Sequence, residues 1–409
     1  MAIAQQSSES YRLVSLRGGL GAVPGIRCSG IAAGIKKRKS DLAVIDLGAD
    51  HVCASVITTN DVKAAPLLVS EEHIAKRGNA IRAIVANSGC ANACTGQRGL
   101  DDARATARDA AQLLGIDASQ VLVASTGVIG VPLPMELVGK GLERAVKALA
   151  DGTEAALSAA EAIMTTDHVP KLEAYAFYDD GSKERRVVGG IAKGSGMIAP
   201  NLATMLAFVA TDAACSRASL NAALKEAVED TFNMISVDGD MSTNDCVYAL
   251  ARPGTGEATP GLRAALHAVC RELAIDMAKD GEGASKRLTV HVTGARDRAQ
   301  ARAVARAIVN SSLVKTALYG EDPNWGRIIA AAGSANAGLV EDAWSIALAG
   351  QPWVSRGAVE VMSEFEAHSH LEEKSIEIGV DLGVGEAEAT AWGCDLSLEY
   401  VRINAHYRT

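Results

Sequence analysis

Apolar and polar positions along this chain switch between two periods, and the switches mark the elements. The β-branched, apolar runs DLAVIDL (41–47), VCASVIT (52–58) and IRAIVAN (81–87) predict strands. Residues 100–114 carry apolar positions at helical spacing and stop at Gly115, a residue suited to closing a helix. VLVAS (121–125) predicts a short strand that runs into TGVIG (126–130), and helical patterns follow over 133–150 and 154–164. LEAYAFY (172–178) and RRVVGGI (185–191) predict two strands around a turn at DDGSK. In the second half TMLAFVAT (204–211) has the continuous apolar character of a buried strand. Helical patterns cover 219–228, 261–279 and 298–309; RLTVHVTG (287–294), WSIALAG (344–350), SIEIGVDLG (375–383) and EATAWGCDLS (388–397) predict strands. No internal repeat or long linker separates the halves, so the pattern predicts one interlocked α/β (α+β) body.

Composition narrows the class. The 409 residues are 48% hydrophobic and 4% aromatic, so a sizeable core must be built from Val, Ile, Leu and Ala. A net charge of −9 argues against nucleic acid or an anionic membrane as main partner. One basic run, Lys36-Lys37-Arg38-Lys39, runs against that balance and reads as a solvated loop or an anion contact. Only Cys90 and Cys94 of the eight cysteines lie close together, and no metal-binding Cys/His array occurs, so free thiols and no metal are expected. The N-terminal residues lack the pattern of a secretory signal, and the most apolar window, 197–214, is too interrupted for a membrane span, so a cytoplasmic location is expected.

Candidate chemistry sits in three glycine-rich stretches: ANSGCANACTG (86–96), STGVIG (125–130) and IAKGSGMI (191–198). None is a nucleotide-binding loop by spacing. The first reads as tight turns, but a sharp turn at Thr126-Gly127 can aim backbone N–H groups at one point, as an oxyanion hole requires. The third leads into KGSGMIAPNLATML (193–206), where Thr204 follows the small Ala203 after an irregular Gly/Pro segment. Local spacing favours a β-branched residue that merely starts a strand. Cut before Thr204, however, the chain would present a threonine whose own α-amine, titrating near pH ~7.7–8.0, can act as general base.

KGSGMIAPNLATML resembles the signature of the ornithine acetyltransferases, the glutamate N-acetyltransferases of arginine biosynthesis. The resemblance extends collinearly through GIAAGIKKRKSDLAVI (30–45), NSGCANACTG (87–96), ASTGVIG (124–130) and IMTTD (163–167). It continues in SVDGDMSTND (236–245), DGEGASK (280–286), KTALYGEDPNWGRI (315–328) and YVRINAHYRT (400–409). Cys90 and Leu202 are small departures that touch no role-bearing position.

This resemblance implies a layered αββα body and self-cleavage between Ala203 and Thr204 into an α chain, 1–203, and a β chain, 204–409, assembled as α2β2. It implies Thr204 as nucleophile and Thr126 with Gly127 as the oxyanion hole. Thr165 or Thr166, Lys193, Thr204, Glu282, Asn404 and Thr409 then bind substrate. The implied reaction moves acetyl from N-acetylornithine to glutamate in ping-pong fashion, with no cofactor. Acetyl-CoA is a second possible donor, which no motif decides. Taken singly, Lys193 reads as a surface lysine at a turn, Glu282 as a solvated loop acid, and Asp238 with Asp240 as a hydrogen-bonded turn. Two other readings stand beside transfer: a self-processing amidohydrolase or aminopeptidase that passes its acyl group to water, and a metabolite-binding protein that is never cut.

Overall fold

The computed structural model describes residues 5–8, 10–199 and 205–406. Ala203, Thr204 and Thr409 fall outside them.

In chain order the strands are β1 (Gln5–Ser8), β2 (Tyr11–Leu16), β3 (Arg27–Ile31), β4 (Leu42–Ile57), β5 (Ile81–Cys90), β6 (Val121–Val128), β7 (Lys171–Asp179), β8 (Arg186–Lys193), β9 (Leu206–Cys215), β10 (Ile235–Ser236), β11 (Cys246–Pro253), β12 (Arg287–Ala295), β13 (Ser345–Leu348), β14 (Gln351–Ser355), β15 (Val359–Glu360), β16 (Ser375–Asp381) and β17 (Ala387–Cys394). The helices are α1 (Ala65–Arg77), α2 (Gly96–Leu114), α3 (Met135–Lys147), α4 (Thr153–Ile163), α5 (Arg217–Glu229), α6 (Pro260–Lys279), α7 (Arg298–Asn310), α8 (Ser312–Tyr319), α9 (Trp325–Ser334), α10 (Glu364–Leu371) and α11 (Leu398–His406).

They form a mixed α/β fold on two sheets. The ten-stranded sheet runs β1-β2-β7-β8-β9-β11-β4-β5-β6, with β3 also paired to β4; the seven-stranded sheet runs β10-β17-β12-β16-β13-β14-β15. Helix α4 covers one face of the large sheet, whereas α6 packs on β7 and β8 and also reaches β17 and β10 of the small sheet. Helix α7 packs on β12 and β17. No helix among the described residues is long and apolar enough to cross a membrane.

The apolar run of β9 owes its continuity to burial on both faces. Leu206, Phe208 and Ala210 join the core under α4, while Ala207 and Val209 join the core shared with α5 and α6. The predicted pair of strands at 41–47 and 52–58 is one strand, β4, whose register slips between Asp46 and His51. Its first half pairs with β3 and β5 and its second half with β11, so one continuous strand carries two sets of partners. The helix predicted from 133 begins at Met135, because Pro134 supplies its N-cap.

At that slip His51 is buried, and its Nδ1 lies 2.8 Å from the Ala49 carbonyl. Burial pushes its pKa down from 6.5 to about 4. Between those two values the unfolded chain binds a proton that the folded chain refuses, so stability falls as pH drops through this window. Urea midpoints at pH 7 and pH 5 are expected to differ less in a His51→Gln variant than in the parent.

Candidate active site

The site begins with a backbone constraint at the end of β6. Gly127 has φ +128°, and a Cβ there would lie 2.5–2.7 Å from backbone atoms of Gly89 and Cys90. Only glycine lets β6 run this close to β5, and there the parallel register is interrupted at Cys90. The TND triplet holds this edge in place. The Asn244 Nδ2 donates to the carbonyls of Ala91 (2.7 Å) and Ser125 (2.8 Å), and its Oδ1 accepts from the Thr243 hydroxyl. Thr126-Gly127 is thus fixed from both sides before any ligand arrives.

Strand β8 brings Lys193 to the same point. Its side chain is 1% exposed and its Nζ lies 3.5 Å from the Thr126 hydroxyl oxygen. Burial pushes its pKa down, and the Asp167 carboxylate opposes that shift. Asp167 accepts from Lys171 Nζ (2.8 Å) and from the N–H groups of Gly194 (2.7 Å) and Thr165 (3.0 Å). Burial works against its charge, yet the ammonium groups of Lys193 and Lys171 hold it well below the usual carboxylate range. Lys171 also bonds Asp280 at 2.7 Å, and the two carboxylates overcome burial to raise its pKa. Two buried ammoniums therefore share two buried carboxylates beside the Thr126-Gly127 turn.

The opposite wall comes from the second half of the chain. Glu282 is 6% exposed; its N–H donates to the Ser195 carbonyl (2.7 Å) and its Oε2 accepts from Asn404 Nδ2 (2.7 Å) on α11. Gly196 faces this carboxylate so closely that a Cβ would lie 2.4 Å from it. Asp238 accepts N–H bonds from Met197, Ile198 and Asp240 and one from the Tyr400 hydroxyl (3.2 Å). Burial still raises the Asp238 pKa, and burial beside Asp238 raises that of Tyr400.

Between these walls lies a cavity of about 180 Å³. Thr126, Gly127, Thr165, Thr166, Lys193, Glu282 and Asn404 all line it. These residues come from five separate stretches of sequence, so seven of the ten residues singled out from the sequence converge. Ala203, Thr204 and Thr409 lie outside the described residues. Lys193 and Glu282 are buried wall groups, not the surface lysine and solvated acid that their local sequence suggests. Asp238 and Asp240 do form a hydrogen-bonded turn. The Thr166 hydroxyl is engaged with the Ser195 hydroxyl at 2.8 Å, and Thr165 lines the cavity beside it.

Sequence reading passed over Asp167, Ser195, Asn244 and Tyr400, although each lies inside or beside a quoted motif. It also missed Asp245, which is fully buried and accepts the Met205 N–H at 2.9 Å. Burial raises its pKa well above the ordinary value.

The model of the ArgJ family matches residues 27–409. The chain belongs to this family. It is 49% identical over 398 residues to the arginine biosynthesis bifunctional protein ArgJ of Caldanaerobacter subterraneus subsp. tengcongensis, covering 94% of this chain and 97% of that one. It is 46% identical over 403 residues to the glutamate N-acetyltransferase of Methanothermobacter thermautotrophicus, covering 96% and 98%. Among solved structures, the ArgJ protein of Bacillus halodurans aligns at 40% identity with a TM-score of 0.45, over 48% of this chain and 99% of that one.

In this ArgJ-family chain Gly127 offers a direct test of the turn. A Gly127→Ala variant meets both a positive φ and a backbone clash. The turn must shift, and turnover is expected to fall by about 10²–10³-fold, as the loss of one donor from the oxyanion hole implied by the family resemblance would cost. Steady-state kinetics on folded variant, checked by circular dichroism, would measure it; unchanged kcat would remove Gly127 from the site.

Proposed function

We infer that this protein transfers the acetyl group of N2-acetyl-L-ornithine to the amine of L-glutamate by a ping-pong route through acetyl-Thr204. The observation that carries this reading is the convergence of an oxyanion-type turn, a buried ammonium and a buried carboxylate on one small cavity. Both amino acids carry an α-carboxylate, which Lys193 suits, and an ammonium group, which Glu282 suits. Strand β9 begins at Leu206, paired in register with Lys193, so the chain re-enters the described structure next to this cavity.

In the proposed self-cleavage the Thr204 hydroxyl attacks the Ala203 carbonyl. An N→O acyl shift gives an ester that water opens, leaving chains 1–203 and 204–409. In turnover the same hydroxyl attacks the acetyl carbonyl of N-acetylornithine, with its proton taken by the new α-amine. Thr126 and Gly127 stabilise the oxyanion, each donor being worth ~3–4 kcal/mol. Ornithine leaves, and the glutamate amine takes the acetyl group. Asn404 orients Glu282, and Thr165, Thr166 and Thr409 complete the substrate contacts. The protein is proposed to work as an α2β2 assembly of the layered αββα type.

The test is acetyl transfer from acetyl-labelled N-acetylornithine to glutamate by purified protein. Labelled N-acetylglutamate is expected; labelled acetate in its place would instead support the hydrolase reading.

A further inference from the structure

The turn Asp238-Gly239-Asp240 takes no part in the amino-acid chemistry above, although both of its acids line the cavity. Its backbone is tightly held. The Ile198 carbonyl accepts the N–H groups of Val237 (2.9 Å), Asp238 (3.3 Å) and Gly239 (3.2 Å), and Gly239 takes φ +82°. The Asp238 carboxylate is fully engaged by three N–H groups and the Tyr400 hydroxyl. One of those N–H groups belongs to Asp240, at 3.2 Å. Just beyond, the Met241 carbonyl accepts from Asn60 Nδ2 (3.3 Å) and the Ser242 carbonyl from the Thr58 hydroxyl (2.8 Å). Main-chain bonds therefore fix Asp240 and both its neighbours. Its own carboxylate is exposed and has no hydrogen bond or ion pair among the described residues. Lys193 is the one cationic side chain among the described residues that line the cavity, against Glu282, Asp238 and Asp240. Burial raises the Tyr400 pKa, and Asp238, Glu282 and Asp240 all add to it, so three carboxylates gather around one phenol. Glu282 is held by Asn404 and Asp238 by its four donors, which leaves Asp240 as the acid with no donor of its own.

We propose that Asp240 selects the acetyl donor by pairing with the side-chain ammonium of N-acetylornithine. This rests on the acetyl-transfer reading of the cavity. In that donor the α-nitrogen is an uncharged amide, so the side-chain ammonium is its only cation. Buried Lys193 repels such a group from the inner wall, while the exposed Asp240 offers it a fixed anion at the rim. Glutamate carries a carboxylate at the same end and meets Asp240 with the unfavourable sign. One residue then acts in opposite directions on the two halves of the reaction, strengthening the donor and weakening the acceptor. Asp240 makes and breaks no bond in this role.

Steady-state kinetics on the full protein with two donors test this. The donors are N2-acetyl-L-ornithine and N2-acetyl-L-norvaline, which keeps the carbon chain and lacks the amine. In kcat/KM the parent is expected to prefer N-acetylornithine by about tenfold or more, the size of one charge-assisted hydrogen bond. D240N should bring the two donors within about twofold of each other, and D240E should keep most of the preference. For glutamate, kcat/KM should rise about two- to threefold in D240N as the like charge is removed. In the parent the preference should also shrink as added salt screens the exposed pair, a readout that needs no variant. Equal losses on both donors in D240N would make Asp240 a structural residue and overturn the proposal. So would a preference that D240N retains, or one that salt leaves unmoved. A parent that moves acetyl from neither donor to glutamate would instead remove the reading of the cavity, and this proposal with it.

Discussion

A Thr204→Ala chain is expected to stay whole at 42.3 kDa and to lose N-acetylglutamate formation by at least about 10⁴-fold. In the proposed scheme the substitution removes the hydroxyl oxygen that attacks the Ala203 carbonyl in the cut and the acetyl carbonyl in turnover. The first described residues after it are held independently, the Met205 N–H by Asp245 and Leu206 as the start of β9. Thr204→Ser keeps a hydroxyl and should retain both steps at reduced rate. Intact-mass measurement separates the cut from the chemistry. A parent protein that is entirely uncut would sink self-processing, and a T204A chain that still transfers acetyl would sink Thr204 as nucleophile.

The second large effect is expected at Asp167. Asp167→Asn preserves shape but takes one carboxylate from two buried ammoniums, Lys171 and Lys193. Lys171 keeps Asp280 at 2.7 Å, whereas Lys193 loses the strongest opponent of its own burial. Removing one partner from a buried ionic group costs ~3–5 kcal/mol, and urea denaturation would read that loss. The pKa of Lys193 should drop further, since Asp167 is the largest of the carboxylates that raise it. KM for substrate should then climb at a lower pH than in the parent, as the ammonium proposed to face the substrate α-carboxylate is lost. A variant with parental stability and an unmoved pH profile would show that Asp167 does not govern Lys193.

Much of this architecture was legible in the chain because burial on a sheet leaves a period. The apolar run at 204–211, the β7–β8 hairpin at DDGSK and the closure of α2 at Gly115 follow from two local rules, periodicity and glycine conformation. Helix α1 escaped notice, although Pro66 sits in its first turn and Leu67, Val69, Ser70 and Ile74 face inward. Its exposed Leu68 blurs that stripe. Strand β11 was masked by the polar SVDGDMSTND motif immediately before it. The candidate site was legible only through collinear motifs. No spacing in the sequence joins Lys193 to Thr126 or Glu282 to Asn404, because sheet order and the α11 contact bring them together. Asp167 shows the limit of motif reading: it stands within IMTTD, yet its importance lies in two lysines that only the fold delivers.

The place of β9 between β8 and β11 bears on what the proposed cut would leave behind. Residues 188–193 of β8 and 206–211 of β9 are bonded neighbours inside the large sheet, so breaking the chain between them severs a connection and no ladder. The two pieces would elute as one particle under native conditions and part only in denaturant. Recovery from denaturant would then be a second-order process, with a yield that falls on dilution, whereas the uncut T204A chain would recover at a rate independent of concentration. Maturation would in this way turn a unimolecular refolding reaction into one that needs two pieces to meet.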